Sequence, residues 1–254
     1  FPLMNPVGFE TGSRNIALTK EDLNRSFPGN KNGSVGERIA DRIFRSIVQT
    51  RPAIVLDLHN DWIRSIPYAV IDPISGPEYS NVYNRTREFG EKTGFLLVRD
   101  SDIMPRTLSY CLLREQIPAL TLELGAPYVL NEMNTEYGLN CVMNILAFLG
   151  MVETSGEYFR HPAASSMAGK TLVYSGRPYT SRSGIIRFLA QPGQVVKTGQ
   201  PLAKVYNTFG KLQETISAAN EAVVLGHSDS SVVFPGTPIM AFGVPAEDVN
   251  QSMS

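Results

Sequence analysis

"RPAIVLDLHND", residues 51–61, decides the fold. Its centre, Ala53 to Leu58, is apolar but for Asp57, and it closes on Asp57-Leu58-His59. A short apolar run of this kind reads as a strand buried on both faces, the pattern of parallel sheets. "PYAVID" (67–72), "GFLLVR" (94–99) and "PALTLELG" (118–125) repeat it. Helical periods lie between these runs. In "SVGERIADRIFRSIVQT" (34–50), Ser34 and Glu37 have capping-box spacing. Ile39, Ile43, Phe44, Ile47 and Val48 form one apolar stripe. Further helices are predicted at roughly 77–93, 106–115 and 135–152. Strands alternating with helices give an α/β layer fold, a mostly parallel sheet flanked by helices.

Past residue 153 the texture changes. "ETSGEYFRHPAASSMAGK" is small and polar, and 154–168 reads as a linker. Beyond it lie short strands with Gly/Pro turns and an internal repeat. "VVKTGQPLAKV" (195–205) aligns without gaps on "VVFPGTPIMAF" (232–242), and "IIRF" (185–188) on "AVVL" (222–225). Gly199 and Gly236 fall at equivalent turns, where a positive φ is expected. The expected organisation is therefore an α/β domain over 1–153 and a small all-β domain over 169–254. The latter is a β-sandwich with pseudo-twofold symmetry.

The 254 residues carry a net charge of −1, so no bulk field favours nucleic acid or an anionic membrane. No apolar run reaches membrane-spanning length. Cys111 and Cys141 sit in apolar helical patterns and read as core residues of a reduced, cytoplasmic-type protein. "FPLMNPVGF" has no initiator Met and no basic leader, and reads as the end of a strand entering a loop, so the chain is expected to start in mid-domain.

Few residues can carry chemistry. His59 ends a strand, and in open α/β sheets the carboxyl ends of strands face the ligand crevice. Glu123 ends another apolar run. A carboxylate there must pair, bind metal or move protons, because an unpaired buried charge is very costly. Arg14, Asn24 and Arg25 sit in Pro/Gly-rich loops, where an Arg fork suits a carboxylate and an Asn adds donors and an acceptor. No G-x-S-x-G, G-x-G-x-x-G or P-loop occurs. His161 and His227 read as surface residues.

In order, "NPVGFETGSR" (5–14), "DLNRSFPG" (22–29), "VLDLH" (55–59) and "LTLELG" (120–125) resemble the succinylglutamate desuccinylase/aspartoacylase family, within the zinc-carboxypeptidase-like group. The C-terminal repeat resembles that family's small β-domain, and "PGQVVKTGQPL" (192–202) is similar to lipoyl/biotinyl barrel-sandwich domains, without a Met-Lys-Met tip. The resemblance implies one Zn2+ per site with His59 as its third protein ligand. It implies Glu123 as the general base on a zinc-bound water, and Arg14 as the group that polarises the scissile carbonyl. Asn24 and Arg25 would hold the substrate carboxylate. The implied reaction is hydrolysis of the amide of an N-acyl amino acid, a small-molecule substrate, with no nucleic-acid or membrane partner. A homo-oligomer is compatible with it.

The family's first two zinc ligands come from a His-x-x-Glu motif ahead of the "NP" segment. None of the three histidines here has a Glu three residues on, so that motif is expected ahead of Phe1. The alternative is an inactive relative that binds carboxylates without metal. "DLHND" also departs from the family, which follows this His with small residues; here Asn60, Asp61 and Trp62 follow.

Overall fold

The structure, a computed structural model, describes residues 1–153, 156–167, 170–228 and 230–246. The linker and domain boundaries expected at 154, 168 and 169 lie outside the described residues. Two compact units are distinguished and are described separately. One comprises residues 1–57, 71–88 and 102–121; the other comprises 58–70, 89–101 and 122–254.

The helices are α1 (Pro6–Glu10), α2 (Val35–Thr50), α3 (Ser80–Lys92), α4 (Leu108–Arg114), α5 (Glu132–Phe148) and α6 (Pro162–Ser166). Helix α2 starts where the capping box places it: Ser34 Oγ accepts from Glu37 N at 3.3 Å and Glu37 Oε2 from Ser34 N at 3.1 Å. Its buried face, Ala40, Ile43, Phe44 and Ile47, joins Leu108, Leu112 and Ile117 in the first unit's core. Helix α5 begins three residues before the apolar period does, because the Asn131 side chain accepts from Asn134 N and caps it. No helix among the described residues is long and apolar enough to cross a membrane.

The strands are β1 (Val55–His59), β2 (Arg64–Ser65), β3 (Tyr68–Ile71), β4 (Leu96–Arg99), β5 (Ala119–Glu123), β6 (Leu172–Ser175), β7 (Gly184–Phe188), β8 (Val195–Val196), β9 (Pro201–Tyr206), β10 (Leu212–Ser217), β11 (Ala222–His227), β12 (Val232–Val233) and β13 (Met240–Pro245). A mixed nine-stranded sheet runs β1-β5-β3-β4-β6-β13-β11-β2, with β8 also on β11; β10-β9-β7-β12 form a second sheet. The first sheet is parallel at β4–β6 and antiparallel at β6–β13, β13–β11 and β11–β2.

Strand β1 departs from the expectation of burial on both faces. It lies at the end of the strand order, and Leu58 is 57% exposed. The repeat, by contrast, maps onto the structure. Strands β7-β8-β9 correspond to β11-β12-β13, and the halves exchange their short strands, β8 pairing β11 and β12 pairing β7. Gly199 and Gly236 both have φ +80 in equivalent turns.

The other two histidines are buried, not at the surface. His161 caps α6, its Nδ1 accepting from Ala163 N, and packs edge-on to Phe95 and Tyr137. Asn144, in α5, accepts from Phe159 N through its Oδ1 and donates to Phe159 O through its Nδ2, which draws this polar stretch inward. His227 ends β11, all of whose residues are buried; past a bulge between Val224 and Gly226 it pairs with Met240, and its ring stacks on Phe188. Cys111 and Cys141 are buried free thiols, and desolvation pushes them up to about 11 and about 12.

Candidate functional site

Two parallel strands bring His59 and Glu123 together. Val55 N donates to Pro118 O at 2.9 Å where β1 and β5 start, and Leu124 N to His59 O at 2.9 Å where they end. Both chains run the same way between these bonds, so the imidazole and the carboxylate arrive at one end of neighbouring strands. His59 Nδ1 stands 4.0 Å from Glu123 Oε1, and the two side chains are 22% and 14% exposed. That separation is contact rather than a direct hydrogen bond. It leaves a carboxylate beside an imidazole at a strand mouth, a pairing suited to handling the proton of water.

The residues after His59 are laced to those after Glu123. Asp61 N donates to Gly125 O at 3.3 Å, and Asn60 Nδ2 reaches Gly125 O and Ala126 O at 3.4 Å each. Tyr68 donates its hydroxyl to Asp61 Oδ2. Trp62 Nε1 donates to the Tyr174 hydroxyl at 3.3 Å. Burial, with Asp61 and Glu123 close by, holds the Tyr68 phenol well above its ordinary range. Desolvation first, then the charge of Asp61, raises Tyr174 as well. Strand β2 then pairs with β11, Gly226 opposite Ser65, and any Cβ on Gly226 would fall 2.8 Å from Trp62 Cβ.

The other unit holds Arg14, Asn24 and Arg25, and Asp22 ties them together. Asp22 Oδ2 accepts from Arg14 Nε at 2.9 Å while its Oδ1 accepts from Asn24 N at 2.9 Å. Arg25 Nη1 donates to Asn24 O at 2.8 Å. The Arg14 side chain is 57% exposed, and Arg25 is exposed. Asn24 does double duty. Its Oδ1 accepts from Leu108 N at 2.9 Å, which anchors the loop on the start of α4 and leaves the amide nitrogen as a donor. Asn5, at the head of the first loop, accepts from Gly8 N and donates to Arg14 O.

So His59 meets Glu123 in one unit, and Arg14, Asn24 and Arg25 share a network in the other. The sequence reading missed Asp22, Asp61, Tyr68 and Tyr174. "DLNR" carried a signal for the first, since an Asp two residues before an Asn in a turn is placed to accept its backbone N–H. The others meet only through long-range folding. A catalytic zinc takes three protein ligands. Among the described residues no three His, Cys, Asp or Glu come together as a metal site, so this set alone does not fit that ion.

Residues 1–149 match the family model of the succinylglutamate desuccinylase/aspartoacylase catalytic domain. The N-alpha-acetyl-L-2,4-diaminobutyric acid deacetylase of Halomonas elongata is 27% identical over 213 residues, 81% of this chain. The chain spans only 59% of that relative's length. Among solved structures, the product-bound ectoine utilization protein EutE (DoeB) from Ruegeria pomeroyi superposes with TM-score 0.77 at 20% identity, over 96% of this chain and 73% of that one. A succinylglutamate desuccinylase/aspartoacylase from Rhodobacter sphaeroides gives TM-score 0.77 at 19% identity, over 96% and 74%. At such identities the likeness is one of fold.

Proposed function

Because this chain belongs to the succinylglutamate desuccinylase/aspartoacylase family, we propose that it serves in a deacylase that hydrolyses the amide of an N-acyl amino acid, yielding a carboxylate and an amine. The Halomonas elongata relative, an N-alpha-acetyl-L-2,4-diaminobutyric acid deacetylase, supports this class of substrate. The observation that carries the reading is the His59–Glu123 pair at the ends of adjacent strands, inside the family-matched residues.

In this reading Glu123 is the general base. Its carboxylate takes a proton from the attacking water and hands it to the departing amine, a role worth about 10²–10⁴ in rate. The Arg14 guanidinium, steadied by Asp22, stabilises negative charge on the carbonyl oxygen. Arg25 and the Asn24 amide hold the carboxylate of the amino acid. His59 would be one ligand of a zinc ion, which, where bound, would lower the pKa of a water toward neutrality. The described residues do not complete that ion's shell, so this reading requires two further ligands from outside the described residues. The same observation favours a second reading, a metal-free protein that keeps Asn24 and Arg25 to bind carboxylates.

One experiment separates them. The full natural polypeptide is assayed for bound metal and for amine release from N-acetyl and N-succinyl amino acids, beside Glu123→Gln. The hydrolase reading expects about one zinc per chain in both proteins, with turnover falling about 10³-fold in the variant. Carboxylate binding without metal or turnover in the parent supports the second reading. Undiminished turnover by Glu123→Gln would falsify the base assignment.

A further inference from the structure

We propose that Tyr68 is a positioning residue: through its hydrogen bond to Asp61 it fixes the turn that carries His59 beside Glu123. The role of that turn rests on the hydrolase reading; the geometry stands on bonds within one unit.

Tyr68 opens β3 and is 1% exposed, its ring packed in a core with Leu96, Val98, Leu225 and Ala241. Such a ring has no freedom to follow a moving loop. Its hydroxyl meets the Asp61 carboxylate, two residues beyond His59. The phenol sits well above its ordinary range, chiefly because it is buried, so it keeps its proton and remains a donor. Ser65 Oγ donates to the Trp62 carbonyl at 3.1 Å within the turn, while several bonds from residues 60–62 to distant segments are long. Those from Asp61 N and Asn60 Nδ2 measure 3.3 to 3.4 Å, and Trp62 Nε1 to Tyr174 measures 3.3 Å, at the weak end of the N–H···O range. A bond from a donor whose ring is locked in the core holds its acceptor in place. Tyr68 is therefore a fixed anchor of the turn. A misplacement of about 1 Å at a reacting group costs about 10²-fold in rate.

Trp62 is the only tryptophan in the chain and lies in this turn, so its emission reports on the turn directly. Tyr68→Phe keeps the ring and removes the donor. It is expected to make Trp62 more accessible to acrylamide quenching and to lower kcat by about tenfold or more with KM unchanged. Far-UV circular dichroism should stay as in the parent. Asp61→Asn retains an oxygen acceptor for Tyr68 and should keep both properties near the parent's. Asp61→Ala should reproduce Tyr68→Phe. Parental quenching and kcat in Tyr68→Phe overturn the proposal. So does an Asp61→Asn variant as impaired as Asp61→Ala, since charge rather than placement would then matter. If the parent hydrolyses no N-acyl amino acid, the hydrolase reading falls, and the quenching series still decides whether Tyr68 holds the turn.

Discussion

Arg25 ends a three-residue turn whose shape Asp22 dictates, and its guanidinium is exposed. A charged hydrogen bond contributes roughly 1.5–3 kcal/mol, and 1.4 kcal/mol is about tenfold in affinity. Arg25→Ala is thus expected to raise KM for N-acyl amino acids about tenfold or more with kcat little changed. Steady-state kinetics with a free-acid substrate and its carboxamide would check this. If the variant does not reduce the parent's preference for the free acid, the role of Arg25 is wrong. The residues proposed to act here were readable because each stands out locally. His59 and Glu123 interrupt apolar runs, and Arg14, Asn24 and Arg25 crowd the loops. Tyr68 and Asp61 were not readable. An aromatic at a strand start reads as core, which it is, and nothing within seven residues of sequence announces that its hydroxyl finds a carboxylate.

Helix α2 shows how far a local pattern reaches. The capping box was legible from Ser34 and Glu37 alone, and the structure adds Glu21, whose carboxylate meets the Ser34 hydroxyl and the Gly36 N–H. These bonds hold both carboxyls below the usual range. The Ser34 side chain is the main cause for Glu21, and the Ser34 backbone for Glu37. Ser34→Ala should cost about 1 kcal/mol at pH 7, read from urea unfolding. The sign of the pH effect follows from the lowered values. Carboxyls depressed in the folded state contribute above their unfolded pKa, and the contribution fades as pH falls through the folded values. The gap between parent and variant should therefore shrink on going from neutral pH to about pH 3. A gap unchanged there would mean the serine acts without the two glutamates. Strands were harder to read than this helix. Strand β2 has two residues and no period, and it exists because β11 lies alongside. His161 was misplaced for a related reason: "GEYFRHPAAS" is polar by composition, yet Asn144 and the rings of Phe95 and Tyr137 bury it.

At the scale of the molecule, the residues after 169 weave through one unit with earlier ones. Strand β6 extends β4 in parallel, β13 follows it, and β11 takes β2 along its far side. One core joins Tyr68, Leu96 and Val98 to Leu172, Val223, Leu225 and Ala241. The 37-residue spacing of the repeat was visible in sequence, as were its two turn glycines, because repeats and positive-φ turns are local signals. The pairing of β6 with β4 was not, since a parallel partner 74 residues away leaves no local trace. A polypeptide ending at residue 153 would strip β4 of its β6 partner and β2 of β11, exposing backbone donors and apolar side chains at one edge. We expect that fragment to aggregate, or to lack a cooperative thermal transition, while the 254-residue chain melts in one step. Size-exclusion chromatography and differential scanning calorimetry of the two would decide. A soluble, cooperatively melting fragment would mean that the β-strands after residue 169 merely cap a domain that stands without them.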